Sequence, residues 1–369
     1  MKLLHIADLH LGKRVMEYSM LEDARAVMAR IADVAVTEAV DGVLIAGDVY
    51  DRPLPPVEAV NLFSEFLTGL AAHRIPVLVI AGNHDSPERL AFCAELLEGS
   101  GIYVAPVCKG KPTEVVLREG DMTVAVQMVS FARPAALRPF FEQEINTPAD
   151  AMRAVLAQVD LSAAHKNVLL AHAFVAGGTA SESEVNPVGT VELIPTDVFA
   201  GFDYVALGHL HGPQTVAEGV RYAGSPLKYS FSEVAHQKSV TIVEICKESP
   251  VTVREIPLYP IHDMREIKGS LSALLQGEYS EDYIRAVVTD EDVPPDARIE
   301  LRTVYPNLMR FAVENSRTAY EEEVEPSESV DDRDPLALFA EFYKWQNGVE
   351  PDEVRMNVMK TLLEREVGE

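Results

Sequence analysis

At 369 residues the chain has length for two to three domains of roughly 150 residues each, and it can bury a core without disulfide or metal staples. A composition of 47% hydrophobic and 24% charged residues excludes extensive disorder, and no stretch reaches the ~18–20 uninterrupted apolar residues of a membrane span. The formal net charge of −26 excludes a generic polyanion binder, because nonspecific nucleic-acid affinity comes from cations that displace counterions.

That charge is uneven. Residues 1–260 carry 20 Lys and Arg against 32 Asp and Glu (−12), and residues 261–369 carry 12 against 26 (−14). Any nucleic-acid surface is therefore local, helped by bound metal cations or supplied by a partner. Three widely spaced cysteines, Cys93, Cys108 and Cys246, fit a reducing compartment better than a disulfide framework. The start Met1-Lys2-Leu3-Leu4-His5 lacks a signal-peptide pattern, so the expectation is a cytoplasmic protein with no membrane association.

In chain order, Leu3–Ala7 reads as a buried strand and Leu21–Val40 as a helix. A strand at Gly42–Ala46, a helix at Val57–His73, a strand at Pro76–Ile80 and a helix at Pro87–Leu97 follow. Apolar strands separated by helices predict βαβ units and a largely parallel sheet covered on both faces. Thr113–Arg118 and Met122–Met128 flank Glu119-Gly120-Asp121, which predicts a hairpin. Further strands are expected at 167–172, 203–208, 221–223, 239–245 and 251–256. The sum is an α/β fold, two layers of sheet flanked by helices.

Beyond Pro260 a smaller α+β unit is expected at 261–320, with strands at Tyr283–Val288 and Arg298–Val304 beside a helix at Leu271–Gln276. Residues 321–334, with eight acids, one Arg and no aromatic side chain, read as a solvated linker. In the tail, 335–369, Leu336, Phe339, Phe342, Tyr343 and Trp345 form an aromatic-rich helical stretch. A second helical pattern begins at Val354.

Five short motifs fall where a strand is predicted to end: Asp8-Leu9-His10, Gly47-Asp48-Val49-Tyr50-Asp51, Gly82-Asn83-His84-Asp85, His172, and Gly208-His209-Leu210-His211. In open α/β sheets ligands bind at the carboxyl ends of strands, where loops converge on one crevice. Each motif alone is weak, since Gly-Asp after a strand is usually a turn and His-x-His usually a polar pair. Together they gather carboxylates, one amide and five of the ten histidines. Imidazole and carboxylate suit Mn²⁺, Fe²⁺ or Zn²⁺, and the absence of Cys argues against a closed structural zinc site. Two ions ~3.5–4 Å apart need a bridging carboxylate, for which Asp48 is the candidate. One histidine of the His209/His211 pair is expected on each ion. His84, adjacent to a ligand but left over, is the candidate general acid or transition-state stabiliser; a purely orienting role is the alternative. Asp51 and Asp85 are read as orienting groups.

The motifs resemble the calcineurin-like metallophosphoesterase superfamily, whose pattern D-x-H, G-D-x-x-(D/H), G-N-H-(D/E), H and G-H-x-H is present in order across residues 8–211. The resemblance implies metal ligands Asp8, His10, Asp48, Asn83, His172, His209 and His211, with Asp8, His10 and His211 on one ion, Asn83, His172 and His209 on the other, and Asp48 between. It implies His84, Asp48 and Asp51 as the catalytic group, Asp51 pairing with His84. Residues 206–214, 222–233, 282–290 and 301–307 extend the resemblance, over roughly 1–310, to the double-strand-break repair nucleases of the bacterial SbcCD type. That family implies a Mn²⁺-dependent phosphodiesterase cutting DNA, as double-strand exonuclease and single-strand or hairpin endonuclease. It further implies a DNA-capping domain after Pro260 and C-terminal helices that dock on an SbcC-type ABC ATPase with coiled coils, in a heterotetramer containing a nuclease homodimer. Lys13, Arg14, Arg52, Arg89 and Lys228 are candidate DNA contacts, and the helix bearing Leu62, Phe63, Phe66, Leu67 and Leu70 a candidate dimer face. A metallophosphodiesterase for small molecules such as cyclic nucleotides is the alternative, which leaves everything beyond ~260 unexplained. A non-catalytic scaffold is disfavoured because all seven ligand positions are filled.

Overall fold

The computed structural model describes residues 1–161, 164–181, 184, 193–316, 335–347 and 349–366. It divides into two units, Met1–Asp263 and Met264–Glu369. The first contains β1 (Lys2–Ile6), α1 (Leu21–Thr37), β2 (Gly42–Ala46), α2 (Val57–Ala72), β3 (Val77–Ile80), β4 (Ile102–Val104), β5 (Thr113–Glu119) and β6 (Met122–Val129). These are followed by α3 (Pro148–Leu156), β7 (Lys166–His172), β8 (Tyr204–Gly208), β9 (Gln214–Ala217), β10 (Val220–Tyr222), β11 (Ser239–Glu244) and β12 (Thr252–Pro257).

Two six-stranded sheets result, in the orders β12-β11-β1-β2-β3-β4 and β9-β10-β8-β7-β6-β5. The four strands β1 to β4 pair in parallel, as the βαβ pattern requires, and β11 and β12 add antiparallel at one edge. In the second sheet β6, β7, β8 and β10 run parallel, closed at both edges by antiparallel neighbours. Leu3, Leu44 and Leu78 from one sheet share a buried cluster with Val126, Val168, Leu170 and Ala206 from the other, so the sheets face each other across a dry interior. The opposite face of the second sheet packs Leu169, Leu207 and Tyr222 with Met152 and Val155 of α3. A Thr147/Asp150 capping box starts that helix.

The predicted helix Pro87–Leu97 is broken into Pro87–Leu90 and Ala94–Leu97, with Cys93 between them at φ 61. The proposed dimer-face residues Leu62, Phe63, Phe66 and Leu70 are buried, whereas Leu54, Val57 and Val60 around the start of α2 are exposed.

The second unit carries β13 (Met264–Gly269), α4 (Leu271–Leu275), β14 (Tyr283–Val288), α5 (Ala297–Leu301) and β15 (Leu308–Val313), the strands forming one parallel sheet. The strand expected at 298–304 is instead mostly α5. Ala297 and Leu301, one helical turn apart, share the buried side with Leu308. The helices α6 (Pro335–Asn347) and α7 (Glu353–Glu366) follow, with Arg355 over the Tyr343 ring at 5.7 Å. The acidic linker 321–334 and the Trp345 side chain lie outside the described residues.

Candidate active site

The five motifs meet at one end of the sandwich. Asp8 and His10 follow β1, Asp48 follows β2 and Asn83 follows β3, while His172 ends β7 and His209 and His211 follow β8. Four of these seven residues hold left-handed backbone: Asp8 (φ 54), His10 (φ 41), Asp48 (φ 48) and His209 (φ 110). Non-glycine residues adopt this region at a cost that clusters at functional sites. Main-chain bonds fix the first two loops together, Asp8 N–H to Gly47 O at 3.0 Å and His10 N–H to Asp48 O at 2.9 Å. Gly82 is obligatory beside them, because a Cβ there would lie 2.2 Å from Asp48 Oδ1.

The imidazoles are oriented one by one. His172 Nδ1–H donates to Ala46 O (2.8 Å) and His211 Nδ1–H to Glu233 Oε1 (3.0 Å). In the neutral ring each Nε2 then carries a lone pair. His172 Nε2 faces Asn83 Oδ1 at 2.9 Å and Asp48 Oδ2 at 3.4 Å, and His211 Nε2 faces His10 Nε2 at 3.1 Å. His209 Nδ1 lies 3.0 Å from the same Asn83 oxygen, and its N–H donates to Asp8 Oδ1 at 2.9 Å. The two histidines of the His-x-His pair therefore face opposite sides of the centre, although residues two apart on a regular strand point the same way; the φ of 110 at His209 takes that residue out of extended geometry.

Crowding acceptors in a buried crevice is unfavourable without a cation between them. Burial raises Asp8 to about 7 and lowers His209 to about 3, the His172 charge adding to the latter. Burial opposes the charged forms of Asp48 and His172 as well, yet their mutual attraction holds Asp48 well below the carboxylate range and lifts His172 to about 9. Donor atoms of Asp8, His10 and His211, and of Asp8, Asp48 and His172, lie within 4.8 Å of one another in each group. The buried His10 Nδ1 has no hydrogen-bond partner. The donor chemistry, imidazole plus carboxylate plus amide oxygen, fits borderline divalent ions.

His84 is built into the same wall. Its N–H donates to Asp48 Oδ1 (2.8 Å) and its Nδ1–H to the Asp51 carbonyl (3.0 Å), with the ring edge-on to His10 at 4.8 Å between centroids. The expected Asp51–His84 pairing thus runs through the main chain. The Asp51 carboxylate is instead held by Lys13 Nζ at 2.8 Å, with Arg52 Nε at 3.5 Å. Asp85 binds the loops together, its carboxylate accepting from Val49 N–H (3.1 Å), Tyr50 N–H (2.9 Å) and Gly82 N–H (2.9 Å). Burial, then Asp48, raises its carboxyl to about 6. Asp85→Asn replaces one acceptor oxygen with a donor amide and leaves a buried N–H unpaired. It is expected to destabilise the fold by roughly 1–3 kcal/mol in urea unfolding, and an unchanged midpoint would contradict this role.

The candidate DNA cations are largely engaged. Lys13 pairs with Asp51, Lys228 with Asp263 at 2.9 Å, and the Arg14 guanidinium donates to Glu17 O, while Arg89 is exposed. Beside Asn83, His172 and His209 opens a cavity of about 600 Å³, lined also by Phe131, Phe174 and Met152. Sequence reading missed Phe131 and Phe174, and it missed the roles of Glu184, Glu233 and Lys238 behind His211: Glu233 closes the 222–233 stretch but nothing in its spacing marks it, and the others sit in no motif.

A family model described as calcineurin-like phosphoesterase matches residues 1–213. The SbcD subunit of nuclease SbcCD from Staphylococcus saprophyticus is 32% identical over 84% of this chain and 84% of its own. The chain belongs to the SbcD-type calcineurin-like phosphoesterases. The SbcD subunit from Staphylococcus epidermidis, 29% identical, covers 98% of both chains, so the SbcD likeness continues past the phosphoesterase fold. A second family model, described as type 5 capsule protein repressor C-terminal domain, matches residues 260–347. Among solved structures, a dimetal phosphatase from Danio rerio is 14% identical, covering 69% of this chain and 95% of its own at a TM-score of 0.40. As an SbcD-type phosphoesterase the chain is a metal-dependent phosphodiesterase, and its buried donor set suits divalent ions. Among the described residues, no helix is long and apolar enough to cross a membrane.

Proposed function

We propose that this chain is the nuclease subunit of a DNA-processing complex, cleaving phosphodiesters with two Mn²⁺ ions as double-strand exonuclease and single-strand or hairpin endonuclease. The observation that carries this reading is the likeness to the SbcD subunit of nuclease SbcCD over 98% of both chains. A small-molecule phosphodiesterase needs only the first unit.

Asp8, His10 and His211 would hold one ion and Asn83, His172 and His209 the other, with Asp48 shared. Bound ions supply charge neutralisation for the phosphate and a water activated for attack. The chain's own residues do the rest. Asp48 orders His84 through Oδ1, and the Asp51 carbonyl accepts from His84 Nδ1–H, so that a doubly protonated ring would pass its Nε2 proton to the departing sugar oxygen and be left neutral. Lys13, Arg52 and Lys228 lie on loops, Arg14 on a short strand and Arg89 on the Pro87–Leu90 helix, and backbone phosphates could replace the carboxylate partners of Lys13, Arg52 and Lys228. The cavity walled by Phe131 and Phe174 has room for a nucleoside flanking the scissile phosphate.

In the second unit, β13 to β15 with their helices form the candidate DNA-capping domain. Phe342 on α6 and Val354 and Val358 on α7 are 58%, 71% and 56% exposed, an apolar surface suited to docking on the coiled coil of an SbcC-type ATPase. Exposed Leu54, Val57 and Val60 are the corresponding surface for homodimerisation.

The test is cleavage of single-stranded and hairpin-ended DNA by the purified chain with Mn²⁺, beside bis-p-nitrophenyl phosphate. DNA cleavage that disappears in Asp48→Ala supports the proposal. Hydrolysis of the small diester alone, unchanged when the ATPase is added, would favour the small-molecule reading. Phe174→Ala is expected to raise KM for DNA by about tenfold, the equivalent of one lost base stack, with little effect on the small diester. Equal effects on both substrates would remove the nucleoside from that cavity.

A further inference from the structure

Behind His211 lies an ion pair that the reaction itself does not use. Glu233 and Lys238 side chains are 0% and 3% exposed. Lys238 Nζ donates to Glu233 Oε2 (2.5 Å), Ser225 Oγ (2.8 Å) and the His211 carbonyl (2.9 Å), which accounts for all three of its protons. The other Glu233 oxygen accepts from His211 Nδ1–H at 3.0 Å. On the remaining side, Glu184 Oε1 accepts from the His211 main-chain N–H at 2.5 Å. His211 is therefore held at three points: its amide N–H, its carbonyl and its ring Nδ1.

No other histidine of the centre is treated this way. His172 Nδ1–H meets a neutral carbonyl, His209 Nδ1 faces the Asn83 side chain, and His10 Nδ1 has no hydrogen-bond partner. A buried ion pair gives back little more than its desolvation penalty, so packing alone does not account for charge at this place. A carboxylate behind an imidazole fixes the tautomer and makes the far nitrogen a better donor. Here that far nitrogen is Nε2, which faces His10 Nε2.

We infer that Glu233 and Lys238 are positioning residues that set His211 as its Nδ1–H tautomer before any ion arrives, making the Asp8–His10–His211 side the tighter of two unequal metal sites. Lys238 balances the Glu233 charge, so that the carboxylate stays committed to the ring rather than competing as a ligand. It also pins the main chain of the Gly208–His211 loop. The inference rests on the two-metal reading of the centre.

The experiment is a Mn²⁺ titration of the full chain, stripped with chelator, followed by the paramagnetic resonance signal of free Mn²⁺. Wild type is expected to show two sites of different affinity. Glu233→Ala is expected to weaken the tighter one by about 10–100-fold and leave the other unchanged, with Glu233→Gln, which keeps an acceptor oxygen, in between; loss at the weaker site instead would overturn the inference. Lys238→Met is expected to weaken the same site. Loss shared equally by both sites, or no loss, would overturn the inference. In the ion-free protein, ¹⁵N ring shifts are expected to show His211 as a single Nδ1–H tautomer that becomes mixed in Glu233→Ala; a mixed tautomer in wild type overturns it too. This second readout needs no metal. A wild type binding fewer than two ions therefore counts against the two-metal reading while the tautomer still decides on the clamp. If Glu233→Ala does not fold, Glu233→Gln carries both readouts.

Discussion

Asp48→Ala is expected to lose both ions and to lower phosphodiester hydrolysis by about 10³-fold or more, the equivalent of several kcal/mol of transition-state stabilisation. Oδ2 of Asp48 lies 3.4 Å from His172 Nε2 and 3.8 Å from His10 Nε2, between the two proposed ion positions, while Oδ1 orders His84. Asp48→Asn is the sharper control. Asn tolerates the left-handed φ of 48 and keeps an oxygen for the His84 N–H, so it removes the charge with little change of shape. Bound metal measured by elemental analysis after gel filtration, alongside turnover of bis-p-nitrophenyl phosphate, reads both effects. An Asp48→Asn protein that retains two ions and most of its rate would dismiss Asp48 as the shared ligand.

His84→Ala should separate chemistry from metal binding. Its bond to Asp48 is made by the main-chain N–H, which alanine keeps, and its ring meets the donor set edge-on at His10, so both ions are expected to stay while DNA cleavage falls roughly 10²–10⁴-fold, the range for a positioned general acid. The loss should be smaller on bis-p-nitrophenyl phosphate, whose leaving group departs as a stabilised anion and needs no proton. A protein that comes out metal-free would make His84 a ligand. Equal losses on both substrates would point to charge stabilisation of the phosphate instead of proton donation.

Much of this architecture was legible because its signals are local. The apolar strands at 42–46 and 283–288 match their predicted bounds, and β1, β2 and β3 end at the motifs, where parallel topology places a ligand site. The His209/His211 division was not legible in this way: residues two apart on a regular strand share a face, and the φ of 110 at His209 is what turns the two rings apart. Harder segments were those where two periodicities compete. Within 297–304, Ile299, Leu301 and Val304 fit a strand as well as a helix, and the choice depends on the neighbours of Ala297 and Leu301 in the fold. Between Pro87 and Leu97 the left-handed turn at Cys93 has no glycine to announce it. Glu233, Lys238 and Glu184 reach His211 from 22, 27 and 27 residues away, and only the folded loops bring them there. The Asp51–His84 bond uses a carbonyl, which every residue has, and so left no trace in residue type.

Asp8, His10, Asp48 and Asn83 leave one sheet, and His172, His209 and His211 leave the other. Any ion held by both sets is a rivet through the sandwich, tying residue 8 to residue 211 without a covalent bond. Opening the sheets then means releasing the ion, and occupancy adds to the folded state about 2.7 kcal/mol at a free-ion concentration one hundred times Kd. With ions held in this way, metal supply would govern the survival of the protein as well as its rate, and a chelator would act on this chain as a mild denaturant.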